Sequence, residues 1–328
     1  MKTLQYFNSI LESIEKDKTT FELANETTTS TTNMSNLLGK YWLKDVVKFA
    51  RDRAFLLQSA KEVEVPKGNK DLAVPVEASI KSFTDNTSEA TNITWTEIDN
   101  LNTVTVTPGT HRFGVIISDE LIQQNQIDLI TYAKEAMTNS YVTAVEGAIA
   151  TAYDGMSSPA KILYGGTATG TSSLSSGDII TTDLIAEGIS NLKQQRWYNE
   201  PNAPFMLYIA PEQEGALLKD SQFTNAAEYG GREVVLNGEI GKYLGVKVLT
   251  SPNVKAYTNW GGGSLAGHTC VMVKAKKGVV FGYQSGLRMQ IKYERFLQDN
   301  THRIYLNSMY KVEALNEKAV VLIKVADA

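Results

Sequence analysis

Apolar residues in this chain change their spacing several times, and each change marks a boundary. Leu4, Phe7, Ile10, Leu11 and Ile14 recur at three- and four-residue steps, which predicts a short amphipathic helix over residues 3–15. The polar run ETTTSTTNMS, residues 26–35, follows with nothing to bury and reads as a tether. Two readings of that helix stand open: it docks on its own domain, or it is an arm that packs on a neighbouring subunit. The helical pattern resumes over residues 36–60, with Leu37, Leu38, Tyr41, Trp42, Val46 and Phe49 apolar among Lys44, Asp45, Arg51 and Asp52.

The spacing then switches to strand and turn. Val63–Val65, Leu72–Val76, Asn92–Thr96 and Thr103–Thr107 favour extended structure, and Pro66, Pro75 and Pro108 confine several of them to edges or ends. Polar, turn-forming residues separate them. This long, thin β excursion has little to make a core of its own, so it needs cover from the rest of the chain or from another copy.

Asp128 to Gly155 carries the clearest pattern. Leu129/Ile130, Ala133, Ala136/Met137, Tyr141, Ala144/Val145, Ala148/Ile149 and Ala152/Tyr153 make one stripe, with Asp128 placed to cap the start and Gly155 to close the end. The spacing predicts a spine helix of roughly 40 Å at 1.5 Å per residue. Beyond it, GGTATGTSSLSSG (165–177) reads as a flexible loop, and a helix is expected from Asp183 to about Arg196. Phe205–Ile209 reads as a buried strand. Pro211-Glu212-Gln213-Glu214 opens another helix, with proline at its first position and carboxylates in its first turn. Strands dominate from Val246 onward.

Gly238, Gly241 and Gly245 stand at uneven steps before Val246-Lys247-Val248-Leu249. A phosphate loop would need a helix after the glycines. Here a strand follows, so they are read as turn residues that supply positive φ.

Composition narrows the partners. Of 328 residues, 42% are hydrophobic and 21% charged, ordinary for a globular protein, and the net charge of −4 argues against sequence-wide electrostatic binding of nucleic acid. The single cysteine, Cys270, excludes an intramolecular disulfide. No secretory leader pattern follows Met1, and no apolar run approaches the roughly 20 residues that span a bilayer. Synthesis and assembly in a cytoplasm, with no membrane partner, are the expectation.

Candidate chemistry is sparse. His111, His268 and His302 are too few and too dispersed for a histidine-rich metal site. His268 and Cys270 fall on one face of a strand, the spacing a cysteine nucleophile and its base would need, but no third group is in view to orient them. No H-E-x-x-H, G-x-S-x-G, Walker or C-x-x-C motif occurs. Lys274, Lys276 and Lys277 read as a solvated basic turn, and Trp95, Trp197 and Trp260 as packing residues or inter-subunit anchors. Neither catalysis nor a cofactor is expected.

In its order of parts, the chain resembles the major capsid proteins of tailed double-stranded DNA viruses of bacteria and archaea, an α+β architecture of the Hong Kong 97 type. The closest segments are PFMLYIAPEQEGALLKD (204–220) and GEIGKYLGVKVLTSPNV (238–254). The resemblance implies an N-terminal arm and linker (1–35), a peripheral-domain helix region (36–59) and an extended β loop (60–117). It further implies the spine helix with its following loop in the peripheral domain (118–177), an α/β axial domain (178–255), and return strands that finish a peripheral sheet (256–328). Gly238, Gly241 and Gly245 become axial-domain turns, while Lys67, Lys70 and Trp95 become assembly residues.

The function implied is a self-assembling icosahedral shell around packaged double-stranded DNA, with no catalytic, cofactor or metal site. Partners would be many copies of the same chain, as hexamers and pentamers, a portal protein, and separate scaffold and decoration proteins where these exist. The DNA would lie inside without sequence-specific contacts. The virion capsid, assembled in the host cytoplasm, would be its place. An encapsulin-like compartment enclosing a cargo enzyme is the alternative, and residues 26–35 favour the virus.

Overall fold

In the computed structural model, residues 54–76, 102–124, 128–220 and 242–327 are described. The helix expected over 3–15, residues 36–53 of the helical pattern expected over 36–60, the linker 26–35, the strand Asn92–Thr96, and with them Trp95, Gly238 and Gly241, lie outside the described residues; the rest of that pattern, 54–60, holds only a 3₁₀ turn. The chain divides into two compact units. One comprises Lys48–Leu121 with Asp128–Ala328 and holds the elements below except residues 122–124 of the first helix. The other comprises Met1–Val47 with Ile122–Ile127, of which only residues 122–124 are described.

After a 3₁₀ turn at Leu56–Ser59 come β1 (Lys61–Val65), β2 (Leu72–Val76), β3 (Asn102–Val106) and β4 (Gly109–Ser118). The helices α1 (Asp119–Gln124) and α2 (Leu129–Asp154) follow, then β5 (Lys161–Tyr164), α3 (Thr182–Gln194), β6 (Phe205–Ile209) and α4 (Pro211–Lys219). The strands β7 (Lys242–Tyr243), β8 (Val246–Thr250), β9 (Ala256–Trp260), β10 (Leu265–Lys274), β11 (Val279–Gln284), β12 (Gln290–Phe296) and β13 (Thr301–Ala314) follow, then a 3₁₀ turn at Glu317–Ala319 and β14 (Val320–Ala326).

Strand β6 is buried at every position, which only a sheet covered on both faces allows. Alternation along its strands sends the side chains of the seven-stranded sheet, ordered β5-β14-β10-β6-β8-β7 with β9 also on β10, into two cores. Phe205, Leu207, Ile209, Cys270, Met272, Val321 and Ile323 pack with Ile185, Ile189 and Leu192 of α3 and with Leu217 of α4. Met206, Tyr208, Val271, Val273, Val320 and Leu322 pack on the opposite side with Val145, Ile149 and Tyr153 of α2. Helices on both sides therefore sandwich the sheet. Gly267 of β10 fits closely, since a Cβ there would stand 2.5 Å from Trp260 Cε3 and 2.6 Å from the Val325 carbonyl oxygen.

The second sheet is built on the fourteen-residue β13. Tyr310 pairs with both Gly109 and Tyr283, and Asn307 with both Arg112 and Gln290. Strand β4 thus lies along one edge of β13, and β12 and β11 lie end to end along the other. Ser308 Oγ donates to the Arg288 carbonyl at 2.6 Å and Met309 N–H to the Leu287 carbonyl at 2.9 Å, closing the gap between them. Strand β1 adds in parallel to β11. Strands β2 and β3 form a separate antiparallel ribbon, in which Val74 and Val106 pack on Val280.

The spine helix spans 26 residues, about 39 Å. Asp128 caps it, accepting from Ile130 and Thr131 N–H at 3.2 Å. Gly155 differs from the expected left-handed closure: its φ is −75°, and its N–H simply continues to the Thr151 carbonyl at 3.0 Å. The buried seam is also narrower than the stripe, since Ala136 and Ala144 are exposed while Glu146 is buried. Helix α3 stops at Gln194, two residues short of the expectation, because Arg196 turns the chain at φ 63°. The loop expected to be flexible is tied down instead. Asp178 accepts from Ser175 N–H at 2.7 Å, and Thr171 O accepts from Gly261 N–H at 3.0 Å.

Candidate assembly surface

Three groups of side chains stand out in the described unit. The first lies where the chain enters the described unit. The 3₁₀ turn at Leu56–Ser59 starts at Phe55, whose side chain caps nothing. Its free N–H groups are met from the spine: Glu146 Oε2 accepts from Leu56 N–H at 2.9 Å and Oε1 from Leu57 N–H at 3.0 Å. Ser59 Oγ and Tyr153 OH are 2.7 Å apart, and Tyr208 OH donates to the Phe55 carbonyl at 3.0 Å. Burial pushes both phenols above the usual tyrosine range. A carboxylate in the middle of a helix gave no sign in the sequence of holding another segment.

The second group is the root of the β ribbon. Lys67 and Lys70 are exposed in the turn between β1 and β2, where Asn69 N–H returns to the Pro66 carbonyl at 3.2 Å. Gln284 Nε2 donates to the same Pro66 carbonyl at 3.0 Å. Arg288 grips Glu62 with two hydrogen bonds, 2.8 and 3.1 Å, and lies 5.2 Å from the Tyr283 ring centroid. This pair braces β1 against the interruption between β11 and β12.

The third group is the far part of the second sheet, where β4 and β12 flank the first half of β13. Strand β4 is exposed along nearly its whole length, with Phe113 51% and Ile116 65% accessible, and Leu297 just beyond β12 is 75% accessible. At its end Asp119 meets Arg295 Nη2 at 2.6 Å and His302 Nε2 at 2.5 Å. The Arg295 hydrogen bond holds the Asp119 carboxyl below the ordinary carboxylate range.

The remaining candidates separate clearly. Leu244 (φ 48°) and Gly245 (φ 82°) make the two-residue turn between β7 and β8, the paired positive φ values of a type I′ hairpin. His268 does have a third group, contrary to the sequence reading: its Nδ1 lies 2.6 Å from Asp327 Oδ1, which also accepts from Gln213 Nε2 at 2.8 Å. Cys270, however, is fully buried, and burial pushes its thiol up to about 12, so it is not poised as a thiolate. Lys274 corrects the basic-turn reading. It is 2% accessible at the end of β10, bonds the Tyr198 carbonyl and sits 3.3 Å from Glu200; only Lys276 and Lys277 are solvated. Trp197 Nε1 donates to the Lys318 carbonyl at 3.0 Å, and Trp260 is buried against Tyr257, so both pack within the unit. Among the described residues no group of acids, histidines and cysteines could hold a metal, and no helix is long and apolar enough to cross a membrane.

The family model for phage capsid protein matches residues 101–323. No curated protein matches the chain. Among solved structures, the capsid of Ralstonia phage GP4 aligns over 92% of this chain and 97% of its own, at 14% identity and a TM-score of 0.67. The capsid of cyanophage Pam1 aligns over 92% and 99%, at 16% and 0.67. The SrpI encapsulin of Synechococcus elongatus aligns over 91% and 96%, at 12% and 0.58. The two-sided α/β sheet, the long capped spine and the strand-built second sheet are thus an α+β fold of the Hong Kong 97 type, and the chain belongs to the phage capsid protein family as a structural major capsid protein.

Proposed function

We propose that copies of this chain gather as hexamers and pentamers into an icosahedral shell, assembled in the host cytoplasm around packaged double-stranded DNA. Residues 1–35 serve as an arm, 60–117 as the extended loop that reaches a neighbour, and 178–255 as the axial domain. Portal, scaffold and decoration proteins act as partners, and the chain itself catalyses nothing. The observation that supports this reading best is the β2–β3 ribbon. It buries only Val74 and Val106 on its own unit, yet residues 77–101 lie between its two strands. Such a ribbon is marginal unless a further surface covers it. A net charge of −4 suits a wall that encloses DNA without gluing it down.

The test removes Lys67–Asn102. The expected outcome is a folded protein, by circular dichroism, that yields no closed shells in electron micrographs. Normal shells from this variant would sink the proposed role of the loop.

A further inference from the structure

The turn between β10 and β11 meets the chain just before β1 and the loop that follows β13. Lys276 N–H donates to the Ser59 carbonyl at 2.7 Å, and Leu315 N–H to the Gly278 carbonyl at 2.8 Å. Trp197, just beyond α3, is fastened beside them by its bond to the Lys318 carbonyl. Between these parts lies a cleft of about 330 Å³, lined by Trp197, Leu315 and Asn316 together with Lys61, Lys276 and Lys277. A cleft of that size takes a short segment or a few side chains.

All three lysines are exposed. The carboxylates that neighbour the cleft along the chain are engaged elsewhere. Glu62 holds Arg288 at 2.8 Å, Glu200 sits 3.3 Å from the buried Lys274, and Glu317 accepts from Ser158 N–H at 2.6 Å. The cleft therefore gathers a local positive charge in a chain whose net charge is −4. Lys276 is also held at φ 62°, in the left-handed region where glycine is the relaxed choice. A lysine kept there points to a use for its side chain.

We propose that this cleft docks a short acidic segment of a partner protein. One apolar side chain of that segment lies against Trp197 and Leu315, and its carboxylates meet Lys61, Lys276 and Lys277. The site goes beyond the shell reading and does not depend on it. Two observations favour a peptide over a nucleic-acid strand. A run of phosphates needs a basic track along its length, whereas these three amines line a single cleft with apolar walls. The net charge of −4 repels a long polyanion, but a short segment meets only the local excess of lysine. Backbone hydrogen bonds already fix the walls, so binding needs little further ordering.

The experiment follows the fluorescence anisotropy of labelled probes titrated with the full chain at low ionic strength. The first probe is a peptide of four glutamates around one leucine, and it is expected to bind. The same peptide with lysines for the glutamates is expected not to. Lys276→Glu with Lys277→Glu should weaken binding of the acidic peptide roughly tenfold while leaving thermal unfolding unchanged. Lys61→Glu with Lys277→Glu should do the same and leaves the left-handed position intact, so the test survives if position 276 tolerates no change. An acidic peptide with glycine for its leucine should bind a few-fold more weakly. Binding that ignores the leucine would mean surface charge alone holds the probe, and the docking site fails. No binding of the first peptide, or unchanged binding by a folded lysine variant, would overturn it equally. Tighter binding of a ten-nucleotide thymidine strand would reassign the cleft to nucleic acid and end the peptide proposal.

Discussion

A buried carboxylate helps join the incoming chain to the spine. Glu146 is fully buried and accepts from two backbone N–H groups that the Leu56–Ser59 turn cannot satisfy itself. Removing the acceptor leaves those donors in a desolvated site, at about 1–3 kcal/mol each. Glu146→Ala is therefore expected to lose ~2–4 kcal/mol in denaturant unfolding. Glu146→Gln keeps one carbonyl acceptor and should lose about half as much. Equal losses from both would show that charge, and not the count of acceptors, is what matters there.

Among the elements, the spine depends most visibly on one end. The Asp128 carboxylate accepts from Thr131 Oγ1 at 2.6 Å as well as from two backbone N–H groups. The Thr131 side chain, first, and then these N–H groups hold its pKa below the ordinary carboxylate range. A depressed folded pKa contributes stability above the unfolded value, near 3.9, and loses it as pH falls through the folded one. Asp128→Ala is expected to lower the unfolding midpoint at neutral pH. The gap to the parent should close as the pH drops through the carboxylate range. A gap that stays constant down to low pH would exclude the ionised cap as its source.

At the scale of the molecule, the described unit is well covered where helices face the first sheet and poorly covered along β4 and β12. An exposed ten-residue edge is an aggregation hazard in a monomer and a joining surface in a shell. Particles purified from cells making the chain are expected to be large, uniform and rich in nucleic-acid absorbance. Shells of that size carrying protein cargo instead would favour the encapsulin-like compartment. A product that stays monomeric, with its scaffold supplied, would contradict the shell proposal.

Local patterning determined the elements whose burial follows a simple period. The 3.6-residue stripe and Asp128 announced the spine, and the unbroken apolar run Phe205–Ile209 announced a strand covered on both faces. The order of these parts carried the family. Long-range contacts decided the rest. Lys274 looked like part of a solvated turn until β10 ended beside Tyr198 and Glu200, and Glu146 carried no local signal that a segment ninety positions away would meet it. Arg112 and Lys292 come to one sheet only because β13 brings β4 and β12 onto opposite edges of one strand. Periodicity reports which face of an element is buried; only the tertiary structure decides which distant group meets the polar atoms on it, because hydrogen bonds and ion pairs depend on positions in space that no local pattern encodes.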